Sequence, residues 1–268
     1  MQAITAVCTL LAFITATQPI PTDTPASTSA SYVHIMPERV EHYESRTLAG
    51  FELRINRALS EHDPGLLETV LAMLESDLLM VQAVLPPAAF ERVQSTVIWI
   101  ELQGAVVDGG MSGRGMCYHA STEWVTSHGL LGEKAGGIEI CRAQDFIDWR
   151  RNQPFMTLHE LAHAYHHMIG VDNAEIRAAY EQARDAGRYD RVIHNMSTDR
   201  VRAYAMNSPT EYFSELTEAY FGLNDFEPFT RPQLRSFDPT GYAMVEKMWH
   251  LSSDELEALA SEPDAGNP

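Results

Sequence analysis

The chain has 268 residues, enough to bury a sizeable core in one domain or in two small lobes around a cleft. It carries 37 acidic against 19 basic residues, a formal net charge of -18, and Lys134 and Lys247 are its only lysines. Such a surface repels phosphate backbones and anionic lipid, which argues against nucleic-acid binding and membrane-surface binding.

The first apolar run, Ala3–Ala16, is too short to span a bilayer and is followed by small residues. Residues 1–17 therefore read as an export signal, although no Lys or Arg precedes the run. Residues 18–31 are rich in Pro, Thr, Ser and Ala and read as a disordered linker. A single domain is expected over 32–262, with a disordered tail at 263–268. Export implies a secreted or extracytoplasmic protein with no membrane insertion once the signal is removed. In that setting Cys117 and Cys141 either pair as a disulfide or remain two buried thiols.

In chain order, Ala49–Ile55 alternates as a strand does, and Pro64–Leu85 carries Leu67, Leu71, Leu74 and Leu78 at helical spacing. Pro86-Pro87 stops that helix. Thr96–Leu102 is β-branched and aromatic, a strand pattern. Gly104–Gly115 is a glycine-rich loop without the Gly-Lys-Ser/Thr ending of a phosphate-binding loop. Gly136–Ile140 predicts a short strand. Pro154–Ile169 predicts a helix closed by Gly170, and Ala174–Ala186 predicts another. Ser208–Tyr220 predicts a third, closed by Gly222, and Tyr242–Leu251 a last one. Trp99, Trp124, Trp149 and Trp249 are expected in the core.

The chemistry lies in His159-Glu160-Leu161-Ala162-His163. Residues four apart on a helix are rotated by about 40° and separated by about 6 Å along the axis, so two imidazoles can converge on one ion. Glu160 is about 100° round from His159, beside that ion, where a base for its water belongs. Two histidines and water hold zinc weakly, so a third protein ligand is needed. His166 and His167 lie about 10–12 Å from His159 along the axis, too far to share its ion. The longer H-E-x-x-H-x-x-G-x-x-H pattern is not met either, because His166 and Ile169 occupy its glycine and third-histidine positions. Spacing leaves Glu211, Glu215 and Glu175 as candidate ligands, with Glu218 a further rival on the same face as Glu215. Ser208 to Glu211 also matches a capping box, in which Glu211 would bond only backbone. Cys117, His119 and Cys141 make a second, less specific set of metal donors.

His159–His163, followed at a distance by Tyr204 and by Glu211-Tyr212-Phe213-Ser214-Glu215, resembles the catalytic domain of the anthrax lethal factor type of zinc peptidase. The resemblance covers roughly residues 154–222. It implies an α+β, zincin-like metallopeptidase fold: a small mixed sheet and the active-site helix in an N-terminal lobe, with a mainly helical C-terminal lobe. It makes His159, His163 and Glu211 the ligands of a Zn2+ ion, Glu160 the general base and Tyr204 the phenol that stabilises the oxyanion. Glu215 would orient a ligand histidine. The substrate would be a peptide or protein, held in zincins by a sheet edge strand before the active-site helix, a place that Gly136–Ile140 occupies. An amidase or esterase using the same zinc chemistry, and an inactive metal-binding module, are the alternatives. The intact Glu160 speaks against the second.

Overall fold

Alternation of apolar and polar residues builds the first ladder. In the computed structural model, which describes residues 39–103 and 115–256, β1 (Tyr43–Leu48) and β2 (Phe51–Asn56) form an antiparallel hairpin. Its turn, Ala49-Gly50, has φ of 47° and 86°, a region that glycine enters without steric cost. Phe51, Leu53 and Ile55 of β2 are buried, as alternation predicts, while β1 exposes most of its residues and left a weaker pattern. The segments expected to be an export signal, a linker and a disordered tail, together with residues 104–114, lie outside the described residues, which all belong to the unit Ile35–Pro268.

Asn56 caps α1 (Arg57–His62), and Asp63 caps α2 (Pro64–Val84) by accepting from the Leu66 N–H at 3.0 Å. Leu67, Leu71, Leu74 and Leu78 of α2 face the core. Pro87 ends that segment and also opens α3 (Pro87–Val93), since the first turn of a helix does not use the missing N–H. The buried β3 (Ile98–Ile100) then runs parallel to β2. After β4 (Cys117–Tyr118) and α4 (Thr122–Ser127) comes β5 (Ile138–Ile140), and the sheet order is β1-β2-β3-β5-β4.

That order corrects one expectation. Gly136–Ile140 contains β5, which is an inner strand, parallel to β3 and antiparallel to β4. All three β5 residues are buried, as suits a strand covered on both sides. The edge belongs to β4, whose two residues are too few to show a strand pattern.

The helical part follows: α5 (Ala143–Trp149), α6 (Met156–Met168) and α7 (Ala174–Asp185), then a small hairpin of β6 (Val192–Ile193) and β7 (Arg200–Val201), then α8 (Pro209–Phe221), α9 (Arg231–Phe237) and α10 (Pro239–Trp249). The architecture is α+β, and no described helix is long and apolar enough to cross a membrane. Gly170, at φ 98°, follows α6 as a C-terminal cap should. The helix α9 was not anticipated, and α10 starts three residues before Tyr242 because Asp238 caps it through the Gly241 N–H at 3.0 Å.

One apolar cluster runs from Phe51 to Leu256 beneath both the sheet and the helices. Within it Trp249 of α10 stacks on Tyr165 of α6 at 4.2 Å and on Phe213 of α8 at 5.7 Å. Its indole N–H donates to Thr217 of α8 at 2.9 Å, and the Tyr165 hydroxyl donates to the Met248 carbonyl at 2.8 Å. Trp249 therefore fixes the spacing of α6 and α8. Trp99 is buried as expected, whereas Trp124 and Trp149 are 36% and 37% exposed and line a cleft.

Asp238 locks the other side of α8. Its Oδ2 accepts from Tyr212 at 2.6 Å and from Tyr189 at 3.0 Å, while Oδ1 holds the α10 cap. Asp238→Ala strands two buried phenols, each costing about 1–3 kcal/mol. We expect the urea midpoint to fall by the equivalent of about 2–4 kcal/mol with an unchanged slope. A midpoint equal to that of the wild type would mean that this network does not hold α8.

Candidate metal centre

Helix α6 places His159 and His163 one turn apart on the face toward α8. Helix α8 begins at Pro209 after Ser208, whose Oγ accepts from the Glu211 N–H at 3.1 Å. The serine half of the capping box thus forms. The Glu211 carboxylate turns instead to the two imidazoles. His159 Nε2 and His163 Nε2 are 3.1 Å apart, and Glu211 Oε2 is 3.2 Å from each. Donors on a tetrahedral zinc, with bonds of about 2.0–2.1 Å, stand about 3.3–3.4 Å from one another. The three atoms nearly form one face of that tetrahedron.

Three lone-pair donors so close repel unless a proton or a cation lies among them. Burial alone would depress His159. Hydrogen bonds to Glu211 and Glu218, with the charges of Glu218 and Glu160, outweigh it and hold the ring well above the ordinary histidine value. Burial likewise favours the neutral form of Glu211. Its hydrogen bonds to His159 and His163 outweigh this and hold its carboxyl far below the usual carboxylate range. The carboxylate is therefore charged and ready to ligate.

The other faces of both rings are held too. His159 Nδ1 lies 2.7 Å from Glu218 Oε1, which also accepts from Gln153 Nε2 at 2.7 Å. The resemblance implied that orienting role for Glu215, but Glu215 Oε1 is 3.9 Å from the same nitrogen. Geometry gives the reason. Nδ1 and Nε2 point to opposite sides of an imidazole, so the carboxylates serving them must be well separated along α8. Glu211 and Glu218 are about 10 Å apart along the axis. Glu215 lies between, buried, where desolvation and then the charges of Asp225 and Glu218 push its carboxyl well up. His163 Nδ1 is 3.1 Å from Ser214 Oγ, a partner that the sequence reading did not single out. Glu175 forms an ion pair with Lys247, away from this centre.

The centre opens on a cleft of about 620 Å³. Glu160 is in its wall, 8% exposed. Tyr204 starts the short 3-10 turn Tyr204–Asn207 that leads into α8, and it lines the same cleft. Cys117 and Tyr118 of β4 form another part of the wall. His194 and Asp225, 3.5 Å apart, face the cleft from loops that carry no motif. His167 also faces it, 6.0 Å from the Tyr118 ring. His166 points instead into the core against Phe213, and burial, then the charges of His163 and His167, push it down to about 3. Cys117 and Cys141 are two free buried thiols, Sγ to Sγ 3.2 Å.

No protein-family model matches the chain, and no curated protein or solved structure does either.

Two measurements test this centre. Glu218→Gln removes the charge behind His159 and is expected to weaken zinc binding about 10–100-fold in a chelator competition, with Glu215→Gln the milder change. The reverse order would return the orienting role to Glu215. Because its hydrogen bonds to Glu211 and Glu218 raise the affinity of His159 for a proton, which a metal must displace, zinc uptake should release protons and tighten as the pH rises. Calorimetry in buffers of different ionisation enthalpy reads that release directly, and uptake without it contradicts the raised proton affinity.

Proposed function

We propose that the protein is an exported zinc peptidase with a zincin-like fold. The observation that carries this reading is the convergence of His159, His163 and Glu211 on one point, with Glu160 beside it in an open cleft. The donor set fits zinc: two neutral imidazoles and one carboxylate leave a fourth tetrahedral position for water or substrate, the pattern of a catalytic site. When bound, zinc supplies Lewis acidity, polarising a carbonyl and lowering the pKa of water to about 7.

The remaining steps belong to the chain. Glu160 takes the proton of the attacking water and passes it to the leaving amine. Tyr204 donates its phenolic hydrogen to the oxygen that gains charge at the scissile carbon. Glu218 and Ser214 keep the two imidazoles aimed, so no reorganisation is needed during the reaction.

The cleft favours a peptide over another acyl substrate. β4 runs along its wall, and no described strand pairs with the outer edge of β4. An extended peptide can add there as a further strand, with its carbonyl next to the metal. β4 thus takes the substrate-holding place first expected of Gly136–Ile140. Met116, Trp124, Trp149, Met156 and Phe226 give the cleft an apolar lining suited to amino-acid side chains. The apolar run at Ala3–Ala16 is the basis for export.

Zinc-loaded protein should cleave unfolded proteins and fluorogenic peptides. Glu160→Gln is expected to retain zinc and lose about 10²–10⁴ in turnover. Tyr204→Phe is expected to lose about 10²–10³ in kcat. Full activity of the glutamine variant would remove Glu160 from the mechanism. A zinc-loaded wild type that hydrolyses small esters or amides but no peptide would replace the peptidase by the amidase or esterase.

A further inference from the structure

A second group of donors lies behind the cleft wall, on the β4–β5 ladder. The register pairs Cys117 with Glu139 and Tyr118 with Ile138. Residues two apart on a strand share a face, so Cys117 and His119 from one strand and Glu139 and Cys141 from the other point to the same side. All four are buried. One donor atom each from Cys117, His119 and Glu139 lies within 4.8 Å of the others. Cys117 Sγ is 3.8 Å from His119 Nε2 and 3.2 Å from Cys141 Sγ, and His119 Nε2 is 2.6 Å from Glu139 Oε2.

We propose that Cys117, His119, Glu139 and Cys141 form a second metal site, for a thiophilic divalent cation of the zinc type. Tetrahedral zinc with these donors needs S–S, S–N and N–O separations of about 3.8, 3.6 and 3.3 Å, so each of the three measured pairs shifts by less than about 1 Å. Glu139 is poised for it. Lys134 Nζ occupies Oε1 at 2.9 Å, which leaves Oε2 turned to His119. The alternative fate of the thiols, a disulfide, needs the sulfurs to close to about 2.05 Å and leaves His119 and Glu139 as a bare buried pair. Charge also favours the cation. A divalent ion is what offsets two buried thiolates beside the Glu139 carboxylate. Such an ion ties the short edge strand β4 to β5 and stiffens the cleft wall.

This site stands independently of the His159–His163–Glu211 centre, and one experiment separates the two. The full chain, with Cys8→Ser so that only Cys117 and Cys141 carry thiols, is reduced, stripped of metal and titrated with zinc and then with cobalt(II). Two equivalents of zinc are expected, and a thiolate-to-cobalt charge-transfer band in the near ultraviolet. His163→Ala should lower uptake to one equivalent and keep the band. Cys117→Ser with Cys141→Ser should also lower uptake to one equivalent and abolish the band. A single equivalent without the band in the reduced parent protein overturns the proposal. So does a second equivalent without the band, or a band that survives in the double serine variant. If the serine variant does not fold, stoichiometry and band in the parent and in His163→Ala still decide. Should the His–Glu centre be the reading that fails, His163→Ala leaves uptake unchanged while the band remains.

Discussion

The candidate metal centre depends on one packing constraint: α6 and α8 must cross in fixed register. α6 supplies the imidazoles and α8 the carboxylate, and a one-residue slip of α8 would swing Glu211 by about 100°. The contacts of the two imidazoles with Glu211, 3.2 Å each, form only once the helices are already in register, so the centre does not set it. The enforcement is apolar and lies one layer down. Trp249 stacks against Tyr165 and Phe213, and the Tyr212 hydroxyl is held by Asp238. Burial of those aromatic side chains offsets the cost of assembling the donors, since each contributes a few kcal/mol.

Behind His159 the interior is unusually acidic. Glu215, Glu218 and Asp225 are buried together, and Glu215 Oε2, Glu218 Oε2 and Asp225 Oδ1 have no hydrogen-bond partner. Three buried carboxylates cannot all be ionised at a tolerable cost. Burial, followed by their mutual repulsion, raises Glu215, and burial raises Glu218 despite its bond to His159. The charge these groups keep faces His159. A cation on the other side of that ring is the complement that such a cluster suits, which is how it bears on the proposed metal centre.

Much of this was legible in the sequence because helices announce their faces. The spacing of His159 and His163, the serine before Pro209 and the glycine after α6 each carry a local physical signal. What stayed hidden needed three dimensions. Along α8, Glu215 and Glu218 are equivalent by periodicity, and only the crossing of the helices decides which meets Nδ1. β4 is two residues long and shows no alternation. Trp124 and Trp149 look like core residues because hydrophobicity does not separate a core from an apolar cleft. His194 and Asp225 reach the cleft from loops, where no period exists to follow.

Lys134 shows how the sheet side is kept rigid. One of only two lysines in the chain is fully buried, with Nζ 2.8 Å from Glu101 Oε1 and 2.9 Å from Glu139 Oε1. Glu101 in turn accepts from Tyr43 at 2.5 Å and from Asn56 at 2.7 Å, which links the β1–β2 hairpin through Lys134 to β5. A buried ammonium is tolerated only where its partners are fully engaged. Here Glu139 turns Oε1 to the ammonium and Oε2 to His119 Nε2, 2.6 Å away. The same device serves both groups of donors: a buried carboxylate anchored by a second partner, Gln153 beside Glu218 and Lys134 beside Glu139, fixes the histidine that it faces.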